Sequence, residues 1–209
     1  SCRPPGRRSC GGDNVTIISV KQLKEFTKSQ TTYDEWLYDE AIGAAEAFMA
    51  DRTDREWVLV TGATTATARS YRPVCGSDVL WLHDAASITS VVENGTTLTA
   101  GTDYVAEPLN NLSPGGAWRP TDRLIRYGQA WYHDGPKTTV TVTAKWGWST
   151  FPSGLVLALY VAAKAYLEAR DVSLGLVAIT EQGAAGQREA KAVADFIDAY
   201  RGHASWGVA

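Results

Sequence analysis

The chain has 209 residues and a mass of 22.6 kDa, room for one large domain or two small ones. With 44% of its residues apolar or aromatic, a chain of this size buries about 70% of the surface its unfolded form exposes, so a core needs no disulfide or metal staple and disorder throughout is excluded. Twenty basic against twenty-three acidic side chains give a formal charge of −3, which leaves no positive excess for binding a polyanion over the whole surface.

The charge is not polarised by region either. Residues 1–60 carry 8 basic and 10 acidic groups, 61–149 carry 7 and 7, and 150–209 carry 5 and 6. The uncharged run Ser149 to Ala163 is shorter than the roughly 18 residues a membrane span needs, so no membrane association is expected. Arg3, Pro4, Pro5, Arg7 and Arg8 are followed by Gly11, Gly12 and Asp13 where a signal peptide would have an apolar stretch. Cys2, Cys10 and Cys75 are odd in number and fit an intracellular origin, with three free thiols expected although Cys2 and Cys10 could bridge. His83, His133 and His203 are too far apart to write a zinc spacing. Asn14, Asn94 and Asn111 match a glycosylation triplet, but Asn94-Gly95 reads as a hairpin turn.

Residues 1–14 form a polar arm rich in Gly, Pro and Arg, expected to be disordered in the free subunit. At Ser19 and Gln22 a capping box, with Ile18 and Leu23 as a hydrophobic staple, predicts a helix to about Lys28. Thr32 and Glu35 repeat the capping pattern. Trp36, Leu37, Ala41, Ala44, Ala45, Phe48 and Met49 then recur at helical spacing to about Ala50. From Trp57 the period changes: 61–149 holds fourteen threonines against seven in the rest of the chain, a density that favours strands. Strands are predicted at Trp57–Val60, Ala68–Val74, Val79–Leu82, Ile88–Glu93, Thr96–Thr99, Tyr104–Glu107, Leu124–Tyr127 and Thr138–Trp146, with Asn110–Pro120 a long loop.

Helical spacing returns after Pro152 and Ser153 and ends at Arg170. Leu155, Val156, Leu159, Ala162, Ala163, Tyr166 and Leu167 form a broad apolar face, and Leu157, Tyr160 and Val161 make the helix apolar nearly all round. One subunit does not easily cover both sides, so Leu155, Leu157, Tyr160 and Val161 are the candidate subunit interface. A weakly charged linker, Asp171–Gly186, leads to a last helix at about Gln187–Tyr200. Its stripe is mostly Ala with Val193, Phe196 and Ile197, and Trp206 follows in the tail. This C-terminal segment reads as a docking element outside the central core, with Trp206 as its anchor. The expected architecture is therefore α+β: a helical bundle of 15–56 and 150–209, its last helix on a linker long enough to let it detach, around an antiparallel β insertion at 57–149.

Catalytic patterns fail on inspection. Val58-Leu59-Val60-Thr61-Gly62-Ala63-Thr64 looks like the first turn of a dinucleotide fold, but Thr65 and Ala68 stand where glycines belong, and a Thr-rich run to Pro73 replaces the helix. His83-Asp84 and His133-Asp134 are adjacent pairs whose side chains point apart, and are expected to be solvated turn residues. No catalytic, cofactor-binding or metal-binding residue and no cofactor is assigned. Eight tryptophans leave a carbohydrate- or other ligand-binding β module as the alternative function, although core packing is the commoner role for Trp57, Trp81, Trp146 and Trp148.

The order of elements carries a resemblance. Two N-terminal helices precede Tyr71-Arg72-Pro73-Val74, a hairpin with Gly95 and Leu98, and Asp103-Tyr104. Then come Thr141 to Trp148, Pro152 opening a helix, and a close on Ala165-Tyr166-Leu167-Glu168-Ala169-Arg170. Over about residues 18–170 this resembles the head-tail connector proteins of long-tailed bacteriophages, in which an aromatic-Gly-aromatic group (here Trp146-Gly147-Trp148), a Pro and an Ala-rich helix ending in Arg recur together. The resemblance implies a non-enzymatic adaptor in the virion neck, assembled in the host cytoplasm. Such an adaptor forms a homo-oligomeric ring, a dodecamer in the family, on the portal protein. It extends the channel through which DNA passes without sequence-specific binding, and docks the next head-completion or tail protein. It also implies that the C-terminal residues Val193, Phe196, Ile197 and Trp206 meet the portal. The arm at 1–14 and the extension at 171–209 depart from the compact members.

Overall fold

The computed structural model describes residues 16–28, 35–112, 116–172 and 185–202. These residues make an α+β fold of four α-helices and a six-stranded antiparallel sheet. The helices are α1 (Val20–Thr27), α2 (Glu35–Thr53), α3 (Ser153–Val172) and α4 (Ala185–Tyr200). The strands are β1 (Thr67–Tyr71), β2 (Val79–Glu93), β3 (Thr96–Leu98), β4 (Tyr104–Glu107), β5 (Thr121–Arg126) and β6 (Val140–Trp146).

The capping box of α1 is formed in full. Gln22 N donates to Ser19 Oγ at 3.3 Å while Gln22 Oε1 accepts from Ser19 N at 2.8 Å, satisfying two otherwise orphaned amides. Ile18 and Leu23 are both buried, and the Ile17 amide donates to Glu46 Oε1 on α2. The second predicted cap, Thr32, lies outside the described residues.

Strand order is β1-β6-β2-β5-β4, with β3 hairpinned onto β2. The turn is Asn94-Gly95, both at positive φ, as a two-residue hairpin that follows the sheet's twist requires. The two strands expected at 79–82 and 88–93 are one fifteen-residue strand, β2. Its first half pairs with β5 and its second with β6 and β3, and register shifts between Trp81 and Ala85, Ala85 and Ser87, and Ile88 and Ser90 let it curve from one set of partners to the other. The expected strand at Trp57–Val60 is reduced to a single bridge, Leu59 with Trp148.

Two buried clusters result. In one, Leu23, Leu37, Ala41, Ala45 and Met49 meet Leu155, Leu159, Ala163 and Leu167, with Phe196 and Ile197 of α4. The other lies on the sheet, where Leu80, Leu82, Leu124, Val140 and Val142 pack with Trp131. A buried ion pair closes it: Arg126 donates to Glu93 at 3.2 Å, lies over the Trp131 ring and also reaches the Asp103 carbonyl, so no lone charge is left inside. Among the described residues, no helix is long and apolar enough to cross a membrane, and no group of three His, Cys, Asp or Glu is placed to hold a metal ion.

Candidate functional site

The helices and the sheet meet at a joint built around Trp146-Gly147-Trp148. Trp148 N donates to Val58 O at 2.7 Å and Val60 N to Trp148 O at 2.8 Å, so the chain running into the sheet lies beside the chain leaving it. Gly147 sits at φ +122, and a Cβ there would lie 2.4 Å from the Val58 carbonyl oxygen. Only glycine allows that approach. This is the physical content of the aromatic-Gly-aromatic group: two indoles are turned to opposite sides of a crossing that a side chain would block.

Trp148 is fully buried and stacks on Trp57 at 4.8 Å, with Trp118 at 5.9 Å and Tyr200 at 6.1 Å. Its indole N–H donates to Asp84 Oδ2 at 2.9 Å, and the other carboxylate oxygen accepts from Arg55 Nη1. Arg55 Nε donates to Tyr200 O, which ties the end of α2 to the end of α4, and Nη2 stands 3.9 Å from Asp122 of β5. Burial pushes the Asp84 carboxyl up to about 6, against the opposing pull of the Arg55 guanidinium and the Trp148 indole. Arg119 donates to Ala199 O and lies over the Tyr200 ring, and Gly202 N donates to Thr53 O. The last turn of α4 is therefore held by residues from the helices and from the loop before β5.

The expectation of solvated turns holds for His133-Asp134, where the Asp134 side chain is 44% exposed and opens the turn to Lys137, and fails for His83-Asp84. Asp84 is buried in β2, because the Arg55 that neutralises it arrives from the far end of α2. His83 points the other way: its Nδ1 lies 3.1 Å from Tyr71 Oη, and burial, then Arg69, lowers its pKa. His133 Nδ1 lies 2.9 Å from Pro73 O. At the dinucleotide-like string, Thr61 to Thr64 make a turn that continues into β1 rather than a helix.

The candidate interface residues divide sharply. Leu155 is completely buried in its own subunit, and half-buried Tyr160 stacks on Phe26 of α1 at 4.9 Å. Leu157 is 48% exposed, with Val161 half-buried one turn on. Leu157, Val161, Lys164 and Glu168 thus make an outward row opposite Leu155, Leu159 and Ala163. Within one subunit the helix is covered on one side, and its outer face is that row of mixed polarity.

Of the C-terminal set, Phe196 and Ile197 are buried in the helical cluster and half-buried Val193 packs against it. This corrects the expectation that α4 stands outside the core. Phe196 stacks on Tyr200 at 4.5 Å and fills the space over Gly154, where a Cβ would lie 3.0 Å from its ring. Two large side chains at the right places outweigh an otherwise Ala-rich stripe. Trp206 lies outside the described residues. Sequence reasoning missed Arg55, Arg119 and Gly202; no local pattern marks them, since their partners stand 29 to 149 positions away.

No protein-family model and no curated protein matches the chain. Among solved structures, the fold is similar to a chain in the virion of a native gene transfer agent particle: TM-score 0.53, 18% identity, covering 92% of this chain and 93% of that one. It is similar to a chain in the neck of the empty particle computed with C6 symmetry, at TM-score 0.52, 18% identity and the same coverage. A chain in the neck of the native particle computed with C12 symmetry gives TM-score 0.50 and 18% identity, over 90% of this chain and 91% of that one. At such identity the likeness is one of fold, and it runs nearly end to end in both chains.

Proposed function

We propose that this chain is a structural, non-enzymatic component of a virion neck, a head-tail connector that forms a ring on the portal vertex. The observation that carries this reading is the end-to-end likeness of fold to chains of gene transfer agent particles and their necks. The ordered set of elements ending in Trp146-Gly147-Trp148, Pro152 and α3 supports it independently. The sixfold and twelvefold symmetries of those necks favour a ring of twelve. In this reading the outward row of Leu157 and Val161 on α3 lies against a neighbouring subunit, with Leu155 and Tyr160 supporting it from behind. The C-terminal tail with Trp206 docks on the portal, while Val193, Phe196 and Ile197 seat α4 so that the tail leaves from a fixed point. DNA passes through the ring without sequence-specific contacts, and the opposite side receives the next head-completion or tail protein.

Negative-stain imaging and sedimentation of the purified chain, alone and mixed with its portal, test the proposal. Rings on the portal are expected. A chain that stays monomeric and never binds portal overturns it.

A further inference from the structure

A ring closed by rotation needs two different faces on each subunit, one for each neighbour. The row on α3 is one. The other is identifiable from burial and helical spacing alone.

In α2, Leu37, Ala41, Ala45 and Met49 are buried in the helical cluster. At 100° per residue, Trp36, Glu40, Gly43, Ala47 and Asp51 fall on the reverse side, and all five are exposed. In α3 the buried Leu155, Leu159 and Ala163 likewise stand opposite Leu157, Val161, Lys164 and Glu168. Because α2 and α3 pack together through their buried sides, the two outward rows look away from each other on opposite flanks of the helical layer. No contact between them is possible within one subunit. Between two copies, each would meet the other.

The two rows also differ in the way a contact between copies needs. The α3 row carries an apolar ridge, Leu157 with Val161, followed by Lys164 and Glu168, which stand 3.9 Å apart as an ion pair. The α2 row has a low floor at Gly43 and Ala47, with open space where a Gly43 side chain would be. It is bounded by Trp36, 56% exposed, and by the carboxylates Glu40 and Asp51. From Glu35 to Asp51, α2 holds five acidic residues and no basic one. Ridge meets floor, the pairing that helix-on-helix packing favours, and the α2 carboxylates would give Lys164 a second anion beside its own Glu168. We infer that the outward row of α2 (Trp36, Glu40, Gly43, Ala47, Asp51) is the second subunit face, and that it receives the Leu157–Val161 ridge of α3 from a second copy of this chain. This rests on the ring reading above and assigns the partner surface that reading leaves open.

Paired cysteines test it. With Cys2, Cys10 and Cys75 changed to Ser, Ala47→Cys and Val161→Cys are introduced together and singly, and assembled rings are oxidised. The double variant should give a ladder of covalent oligomers on a non-reducing gel, and each single variant none. Gly43→Cys with Leu157→Cys serves as a second pair should the first impair folding, checked by thermal unfolding. Glu40→Lys and Lys164→Glu should each abolish rings, and the two together should restore them. Rings visible in the microscope with no ladder from either pair overturn this contact while leaving the ring intact. A parent chain that forms no ring, alone or on the portal, removes the ring reading and this contact with it.

Discussion

Trp148 donates its indole N–H to Asp84 Oδ2 at 2.9 Å, which places the single acceptor of that indole on a strand 64 residues earlier in the chain. The same carboxylate takes the Arg55 guanidinium, so one buried anion joins three separate stretches of sequence. Removing it leaves a buried cation with only the Tyr200 carbonyl and Asp122 at 3.9 Å to hold it. Asp84→Ala should therefore cost about 3–5 kcal/mol in urea unfolding at pH 7. Replacing both Asp84 and Arg55 by apolar residues of similar size should recover most of that loss, and a double replacement as unstable as Asp84→Ala would show that the charge pair is not what matters.

The Asp84 carboxyl, at about 6 in the folded chain against an ordinary 3.8, gives a pH dependence with a definite sign. Between pH 6 and pH 4 the folded state takes up the proton while the unfolded state does not, so this group stabilises the fold on acidification. Its contribution is complete below 3.8 and is lost as pH rises through 6. Two units correspond to about 3 kcal/mol as an upper figure. Glu46 is raised by burial and acts in the same direction, so the quantity to measure is the difference between wild type and Asp84→Asn across pH 4 to 7. A difference that stays flat over that window would contradict the assignment.

At Gly147 the backbone leaves no room for a side chain, since φ is +122 and the Val58 carbonyl is 2.4 Å from the Cβ position. Gly147→Ala should destabilise by at least about 3 kcal/mol through backbone strain and loss of the hydrogen bonds that join Trp148 to Val58 and Val60. Gly95→Ala, strained at its turn but free of neighbours, should cost less. Denaturant midpoints of the two variants decide the order.

Leu155 and Leu157 are two positions apart and have opposite fates. Leu155→Ala should cost about 2–5 kcal/mol as a core deletion. Leu157→Asp should leave monomer stability within about 0.5 kcal/mol and prevent ring assembly, seen as a monomer boundary in sedimentation. An unfolded Leu157→Asp would make that residue part of the core.

Two truncations separate the roles of the C-terminal segment. Deleting 187–209 removes Phe196, Ile197 and the Tyr200 carbonyl that Arg55 holds, so the thermal midpoint should fall by several degrees. Deleting 203–209 removes Trp206 and leaves those contacts, so stability should hold while portal binding is lost in co-sedimentation. Portal binding undiminished by the shorter deletion rules out the tail as the docking element.

What the sequence disclosed follows from the range of the interactions involved. Ser19 and Gln22 act within one turn, and Asn94-Gly95 within one hairpin, so helix starts and the hairpin are readable locally. The fourteen threonines of 61–149 mark the sheet by composition. Asp84 shows the limit: beside a histidine and just past an apolar run, it resembles a turn residue until Arg55 is known to reach it. The break expected in β2 has the same origin, since bulges admit polar residues that interrupt the alternation without ending the strand. Phe196 illustrates a second limit, because an Ala-rich stripe looks weak until the open space over Gly154 is seen.

The side-by-side pairing of Val58–Val60 with Trp148 means that the backbone of the β portion leaves and rejoins the helices at one crossing, as a loop already closed. Extending a loop already closed raises its closure entropy slowly, by about 0.6 kcal/mol per doubling of length. Insertions or shortened strands on the sheet away from Asp84, Arg119 and Asp122, which also reach the helices, therefore touch the helical layer little. The sheet is free to drift in sequence and size, to suit a different neighbour, while the helices keep their own contacts. Tolerance to drift ends at Gly147, Asp84 and Arg55, where a single replacement is felt on both sides at once.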